Sequence, residues 1–115
     1  MNGLFFGNTA SGGGVDPRYP VIIMPNPTFI KYNACTYINL SEIATDDTTS
    51  YKKLDFQFEC DSEDVVIDVI RSRKYQMRTY TDNPDLDETI LHVTVTDLDG
   101  FTTKKDITLK VDKTL

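Results

Sequence analysis

The chain has no tryptophan, one histidine (His92) and two cysteines (Cys35 and Cys60) among its 115 residues. Two cysteines are too few for a disulfide framework. One histidine and two separated cysteines also make a zinc site unlikely on ligand number alone. We therefore expect free, buried thiols. A disulfide bond between them would require Cα atoms within about 7 Å, which sequence cannot establish.

The same shortage of residues argues against catalysis. His92 falls on the outward phase of its strand, beside Val93, which favours a solvent-facing side chain over a general base. A nucleophilic pair would require His92 to meet one of the two cysteines in space. Gly12-Gly13-Gly14 is followed by no Lys-Ser/Thr pair, so it is not a phosphate-binding loop. We predict a protein that is not an enzyme and that uses no cofactor and no small-molecule substrate.

Positive charge and long apolar runs are also scarce. The net charge is −6 and the sequence pI is about 4.6, which argues against binding to nucleic acid or to an anionic membrane. Leu4-Phe5-Phe6 is far too short to span a bilayer. The first basic residue is Arg18, so no basic region precedes an apolar stretch, and we expect no secretory signal.

Composition divides the chain into two parts. Residues 1–19 hold five of the six glycines, which predicts a flexible arm, and residues 20–115 form the predicted folded domain. The apolar tip of the arm, Leu4, Phe5 and Phe6, suits a docking tether as well as it suits a frayed end.

Residues 91–111 predict a β-hairpin. Apolar residues alternate with polar ones on both sides of an Asp-Gly turn, Asp97-Leu98-Asp99-Gly100. Short strands are predicted at 21–24, 29–33, 35–40, 54–60, 65–70 and 73–81, with a single helical turn at 41–44. Seven or eight strands of this length predict an all-β, two-sheet β-sandwich. The predicted core residues are Ile38, Leu40, Phe56, Phe58, Leu91, Val93, Val95, Ile107, Leu109 and Val111.

Three segments carry a family resemblance. LSEIATDD at 40–47, LDFQFE at 54–59 and TVTDLDGFTTKKDITLKV at 94–111 occur in that order. Together they resemble the cadherin-like and immunoglobulin-like modules of bacterial and phage proteins. The resemblance implies an immunoglobulin-like sandwich with a binding, spacer or decoration role. The chain departs from the pattern at 47–50, where no glycine follows Asp46, and at 65–81, where no pattern matches.

The resemblance also raises the question of calcium, because cadherin-like modules bind it through acidic residues at their ends. Acidic residues are grouped here near positions 46, 61, 85 and 98. None of the extended acidic motifs of true cadherins is present. Asp97 and Asp99 also have an ordinary role, because aspartate before glycine favours turns. We therefore predict no metal site.

The basic residues cluster in one segment. Arg71, Arg73, Lys74 and Arg78 are a third of the positively charged residues and fall within eight positions. One interpretation is an edge strand that its charges protect from aggregation. The other is a contact patch for an acidic partner, which the neighbouring tyrosines Tyr75 and Tyr80 favour, since tyrosine and arginine are enriched in interface cores.

Two hypotheses about the role follow. In the first, the chain is an auxiliary (decoration) protein of a phage capsid, attached through its N-terminal arm and one face of the sandwich. It is then located in the virion, and in the host cytoplasm during assembly, with a major capsid protein as its partner. In the second, it is an adhesion or carbohydrate-binding module at a bacterial cell surface. Exposed aromatic residues would favour the second, and Tyr37, Tyr51, Tyr75 and Tyr80 are the candidates.

Overall fold

The computed structural model describes residues 19–72 and 74–114. This part of the chain contains nine β-strands and one 3-10 turn at Leu40–Glu42, and no α-helix. The predicted all-β sandwich is confirmed. The strands are β1 (Val21–Ile22), β2 (Thr28–Lys31), β3 (Thr36–Asn39), β4 (Ala44–Thr45), β5 (Asp55–Cys60), β6 (Val66–Ile70), β7 (Gln76–Tyr80), β8 (Glu88–Thr96) and β9 (Thr102–Asp112).

The larger sheet has four strands in the order β2-β9-β8-β5. The predicted terminal hairpin forms its centre, with Leu91 opposite Ile107 across β8 and β9. Its turn has Gly100 at φ 92°, a conformation that glycine adopts without a steric penalty. β5 pairs with β8 in antiparallel fashion, and β2 adds to the outer side of β9 in parallel fashion.

The second sheet has three strands in the order β3-β7-β6, all antiparallel. β7, which carries Arg78, is therefore the central strand, and its interpretation as an edge strand is wrong. The strand also begins at Gln76 rather than at residue 73. Tyr75 lies at φ 52°, in the left-handed region, so the extended backbone starts only after it.

Two strands are very short: β1, which lies within the strand predicted at 21–24, and β4, which was not predicted. β1 and β4 pair only with each other, through Val21 with Thr45 and Ile22 with Ala44. Ile43, in the segment predicted as a helical turn at 41–44, accepts backbone hydrogen bonds from Ile23 and Met24 through its carbonyl oxygen. The helical turn is shifted to Leu40–Glu42, because Ala44 already belongs to β4.

Side chains from both sheets pack into one hydrophobic core. Its buried members are Ile22, Met24, Ile30, Leu40, Ile43, Ala44, Leu54, Phe56, Val65, Met77, Leu91, Val93, Val95, Ile107 and Leu109. Seven of the ten predicted core residues are among them. The other three, Ile38, Phe58 and Val111, are only partly buried and pack against the cluster. All ten predicted core residues therefore lie in the core or pack against it.

Candidate functional site

Three loops lie together at one end of the sandwich, which we call the loop end: residues 46–54, the β6–β7 turn at 71–75 and the β8–β9 turn at 97–101. The amide of Leu98 lies 3.5 Å from the hydroxyl oxygen of Thr49, which links the first and third loops. The Arg71 guanidinium donates hydrogen bonds to the carbonyl oxygens of Lys52 and Leu54, which links the first and second.

The chain also enters the sandwich at the loop end. The rings of Tyr19 and Phe101 lie with centroids 4.9 Å apart. The hydroxyl of Thr103, early in β9, donates a 2.7 Å hydrogen bond to the carbonyl oxygen of Pro20. The predicted docking tip, Leu4, Phe5 and Phe6, lies outside the described residues. The first described residues thus pack beside the β8–β9 turn.

The described residues of the predicted basic cluster have different partners, and Arg71 bonds to the backbone. Its guanidinium lies 3.1 Å from the Lys52 carbonyl oxygen and 2.8 Å from that of Leu54. The same group lies over the Phe56 ring, 6.0 Å from its centroid. Arg71 therefore holds the loop at 46–54 against the sandwich, and its contact with a partner stays a prediction.

The Tyr75 side chain packs against neighbouring residues of the domain. Its ring meets that of Tyr51 edge-on at 6.1 Å, and the Lys52 ammonium group lies 5.3 Å from its centroid. Its carbonyl oxygen accepts a 2.8 Å hydrogen bond from the Leu40 amide. Tyr75 is half-buried and packs against the core cluster. Its contacts are those of a residue that stabilises the turn.

Arg78 lies on the outer face of the three-stranded sheet and is already paired. It forms an ion pair with Asp68 on β6, its cross-strand neighbour. The hydrogen bond that Arg78 donates to Asp68 and the negative charge of Asp68, with a smaller effect of the Tyr37 hydroxyl group, raise the pKa of Arg78 above its usual value. Tyr37, Arg78 and Asp68 thus form a row across β3, β7 and β6.

Lys74 is an exposed member of the basic cluster. It borders a shallow depression of about 360 Å³ on the same outer face, lined by Tyr37, Ile70, Ser72, Lys74 and Gln76. Arg73 lies outside the described residues. Among the described contact residues, Lys74 and Arg78 thus lie on the outer face of the three-stranded sheet, whereas Arg71 is exposed at the loop end.

His92 has a set of partners that the sequence reading missed. Its Nε2 lies 2.7 Å from a carboxylate oxygen of Asp61, and its Nδ1 lies 2.6 Å from one of Asp106. These hydrogen bonds, with that of Asp106 the larger, raise the pKa of His92 above 6.5. Asp106 is its cross-strand neighbour on β9, whereas Asp61 comes from the segment after β5. Only the hairpin register could have indicated part of this arrangement.

The turn carboxylates at the loop end have mainly structural contacts. Asp97 is buried, and its Oδ1 accepts hydrogen bonds of 2.9 Å from the amides of Asp99 and Phe101. Asp46 Oδ2 accepts hydrogen bonds from the amides of Thr48 and Thr49. These are the hydrogen bonds with which aspartate stabilises turns.

No group of three or more His, Cys, Asp or Glu side chains in the described chain is arranged to hold a metal ion. Cys35 and Cys60 are unpaired and partly buried. The expectation of free thiols is confirmed, whereas that of full burial is wrong. None of the helical structure in residues 19–72 and 74–114 is long and apolar enough to cross a membrane.

Comparison with known proteins adds no relative. A scan of the sequence against protein-family models found no match, and neither did a search of curated proteins. The function is therefore argued from the geometry above.

Proposed function

We propose that this chain is a non-catalytic structural and binding module that attaches to a protein partner through its loop end. The observation that carries the proposal is that two separate features meet there. The first described residues pack against the β8–β9 turn through Tyr19 and Phe101. The β6–β7 turn, which contains Lys74, is held at the same end by Arg71. An arm and a turn on one end can engage one partner together.

The strand order supports an immunoglobulin-like module. β3, β7 and β6 are neighbours in one sheet, and β5, β8 and β9 are neighbours in the other. Taken in chain order, these are the positions of strands B, E, D and C, F, G of an immunoglobulin domain. This fold serves many unrelated roles, so the role itself must come from the site.

The partner that we propose is the major capsid protein of a phage, to which this chain adds as a decoration protein. The support is the small acidic body, the glycine-rich arm with its apolar tip, and the loop end at which the described chain begins. An acidic decoration protein would stay soluble at high concentration before assembly.

An adhesion or carbohydrate-binding module of a bacterial surface protein is the second candidate. The specific observation in its favour is Tyr37, whose side chain is 53% exposed beside the depression on the outer face. Exposed aromatic rings are common surfaces for binding a ligand that has apolar and polar faces.

The experiment begins with the neighbouring genes. Capsid and portal genes beside this one identify the particle to test, and its purified capsids are sedimented with the full chain at increasing concentration. The proposal predicts saturable binding at a fixed number of copies per capsid. Non-saturable binding, or none, contradicts it. Sortase or secretion genes in that position favour the second candidate.

A further inference from the structure

The depression on the outer face of the three-stranded sheet has a defined composition. Tyr37 from β3 and Ile70 from the end of β6 supply apolar surface, while Ser72, Lys74 and Gln76 supply polar groups. Tyr37 is 53% exposed, so most of its ring is free to contact a ligand. The depression therefore combines an aromatic surface with hydrogen-bonding groups and one cation.

The groups around the depression are held in position. Gln76 Nε2 donates a 3.0 Å hydrogen bond to Asn39 Oδ1, which fixes both amides on the sheet face. The Tyr37 phenol lies against Arg78, which is itself paired with Asp68. Tyr75, at φ 52°, packs its ring inward on Tyr51, while Lys74 and Gln76 on either side of it both border the depression. A ligand would meet side chains whose geometry is already set, which lowers the entropic cost of binding.

The charged groups around the depression restrict the chemistry of its ligand. Arg71 bonds to backbone carbonyl groups and Arg78 to Asp68, so neither guanidinium is available at the depression. Lys74 remains as an exposed ammonium group. Among the described residues that line the depression, Lys74 is the one cation, and it lies beside an exposed ring, a hydroxyl group and an amide. This set suits a ligand with one carboxylate and several hydroxyl groups. A broad anionic surface would require more than one free cation.

We propose that this depression binds an acidic sugar residue, such as a uronic acid, at the end of or within a glycan. The sugar ring lies against Tyr37, its hydroxyl groups bond to Gln76 and Ser72, and its carboxylate faces Lys74. This inference is independent of the capsid proposal, since a decoration protein and a surface module could both carry such a site.

The test is an NMR titration of the full chain with sodium glucuronate, with glucose and a capped aspartate peptide as parallel probes. Saturable shifts of the amide signals are expected at residues 37, 70, 72, 74 and 76. Glucose should bind about tenfold more weakly, because it lacks the charge-assisted hydrogen bond to Lys74. The peptide, which has the carboxylate but no sugar ring, should produce no saturable shift.

Two variants and a matched control complete the design. Tyr37→Ala should abolish the shifts, and Lys74→Gln should reduce the glucuronate affinity to that for glucose. Lys53→Gln, at another exposed lysine of the loop end, should change nothing. Shifts that do not saturate, that occur away from these five residues, or that are as strong with the peptide overturn the proposal. The titration of the unaltered protein decides the question even if a variant fails to fold.

Discussion

The Arg71 guanidinium donates a 2.8 Å hydrogen bond to the carbonyl oxygen of Leu54, 17 residues away in the chain. Leu54 is fully buried and directly precedes β5, so this bond anchors the loop at 46–54 to the β6–β7 turn. A residue that looks like part of an exposed basic patch in the sequence therefore has a structural role. The stability of the loop end depends on contacts of this kind.

Arg71→Ala is expected to lower the free energy of unfolding by about 1–2 kcal/mol. The substitution removes two hydrogen bonds that the charged guanidinium donates, and it removes the contact of the Arg71 side chain with the Phe56 ring. Urea unfolding of the purified variant measures the change. Lys74→Ala, in the same turn, is the control and should stay within about 0.5 kcal/mol. Equal effects of the two substitutions would show that Arg71 is not an anchor.

Leu91→Ala is expected to destabilise the domain by about 2–5 kcal/mol, because Leu91 is fully buried at the centre of the larger sheet. Thermal or urea unfolding checks this. Thr94→Ala, on the outward phase of the same strand, should cost about 1 kcal/mol or less. A Leu91→Ala midpoint equal to that of the unaltered protein would refute the assignment of the inward face.

Asp97→Ala is expected to cost about 1–3 kcal/mol, because the amides of Asp99 and Phe101 both lose their bond to Asp97 Oδ1. Asp97→Asn keeps an acceptor oxygen at that position and should cost less. Asp99→Ala is the control, since the Asp99 side chain is exposed. We predict that the urea midpoint is highest for Asp99→Ala, lower for Asp97→Asn and lowest for Asp97→Ala. Equal midpoints for all three would mean that the carboxylate does not hold the turn.

His92 makes stability depend on pH in a defined direction. Its pKa in the folded protein is raised above 6.5 by the hydrogen bonds to Asp106 and Asp61. The protonated form is therefore favoured by folding. The contribution of His92 to the free energy of unfolding is fully present below pH 6.5, the pKa of histidine in the unfolded chain. It is lost as the pH rises through the higher pKa of the folded protein.

The measurement is an NMR titration of the single histidine together with unfolding at several pH values. The pKa of His92 should exceed 6.5, and Asp106→Asn should lower it. The free energy of unfolding of the native protein should decline above pH 6.5, and His92→Gln should remove this decline. A pKa of His92 at or below 6.5 would contradict the arrangement of the two carboxylates.

Local patterns predicted the terminal hairpin well. Leu91, Val93 and Val95 alternate with polar residues from 91 to 96, and this alternation is typical of a strand with one buried face. β4 has only two residues, so no periodicity could indicate it, and β1 keeps only two residues of the strand predicted at 21–24. Met24 and Ile43 belong to the core because the segments that carry them meet in the folded protein. A local sequence pattern gives no information about such a contact.

The candidate site was less predictable for the same reason. Arg71 and Arg78 look alike in the sequence, and their different roles depend on Leu54 and Asp68, which belong to other segments. Likewise, His92 meets Asp61 and Asp106 only when three separate elements come together. The depression beside Tyr37 also requires the inward turn of Tyr75, whose left-handed conformation no residue type in the turn indicates.

Deletion of residues 1–14 tests the central claim, attachment through the loop end, most directly. The melting temperature of the deleted protein and its sedimentation with the capsid are measured beside those of the full chain. The account predicts a nearly unchanged melting temperature, because the described contacts of the entering chain begin at Tyr19, and a loss of capsid binding. Retained binding, or unfolding of the domain on deletion, would contradict it.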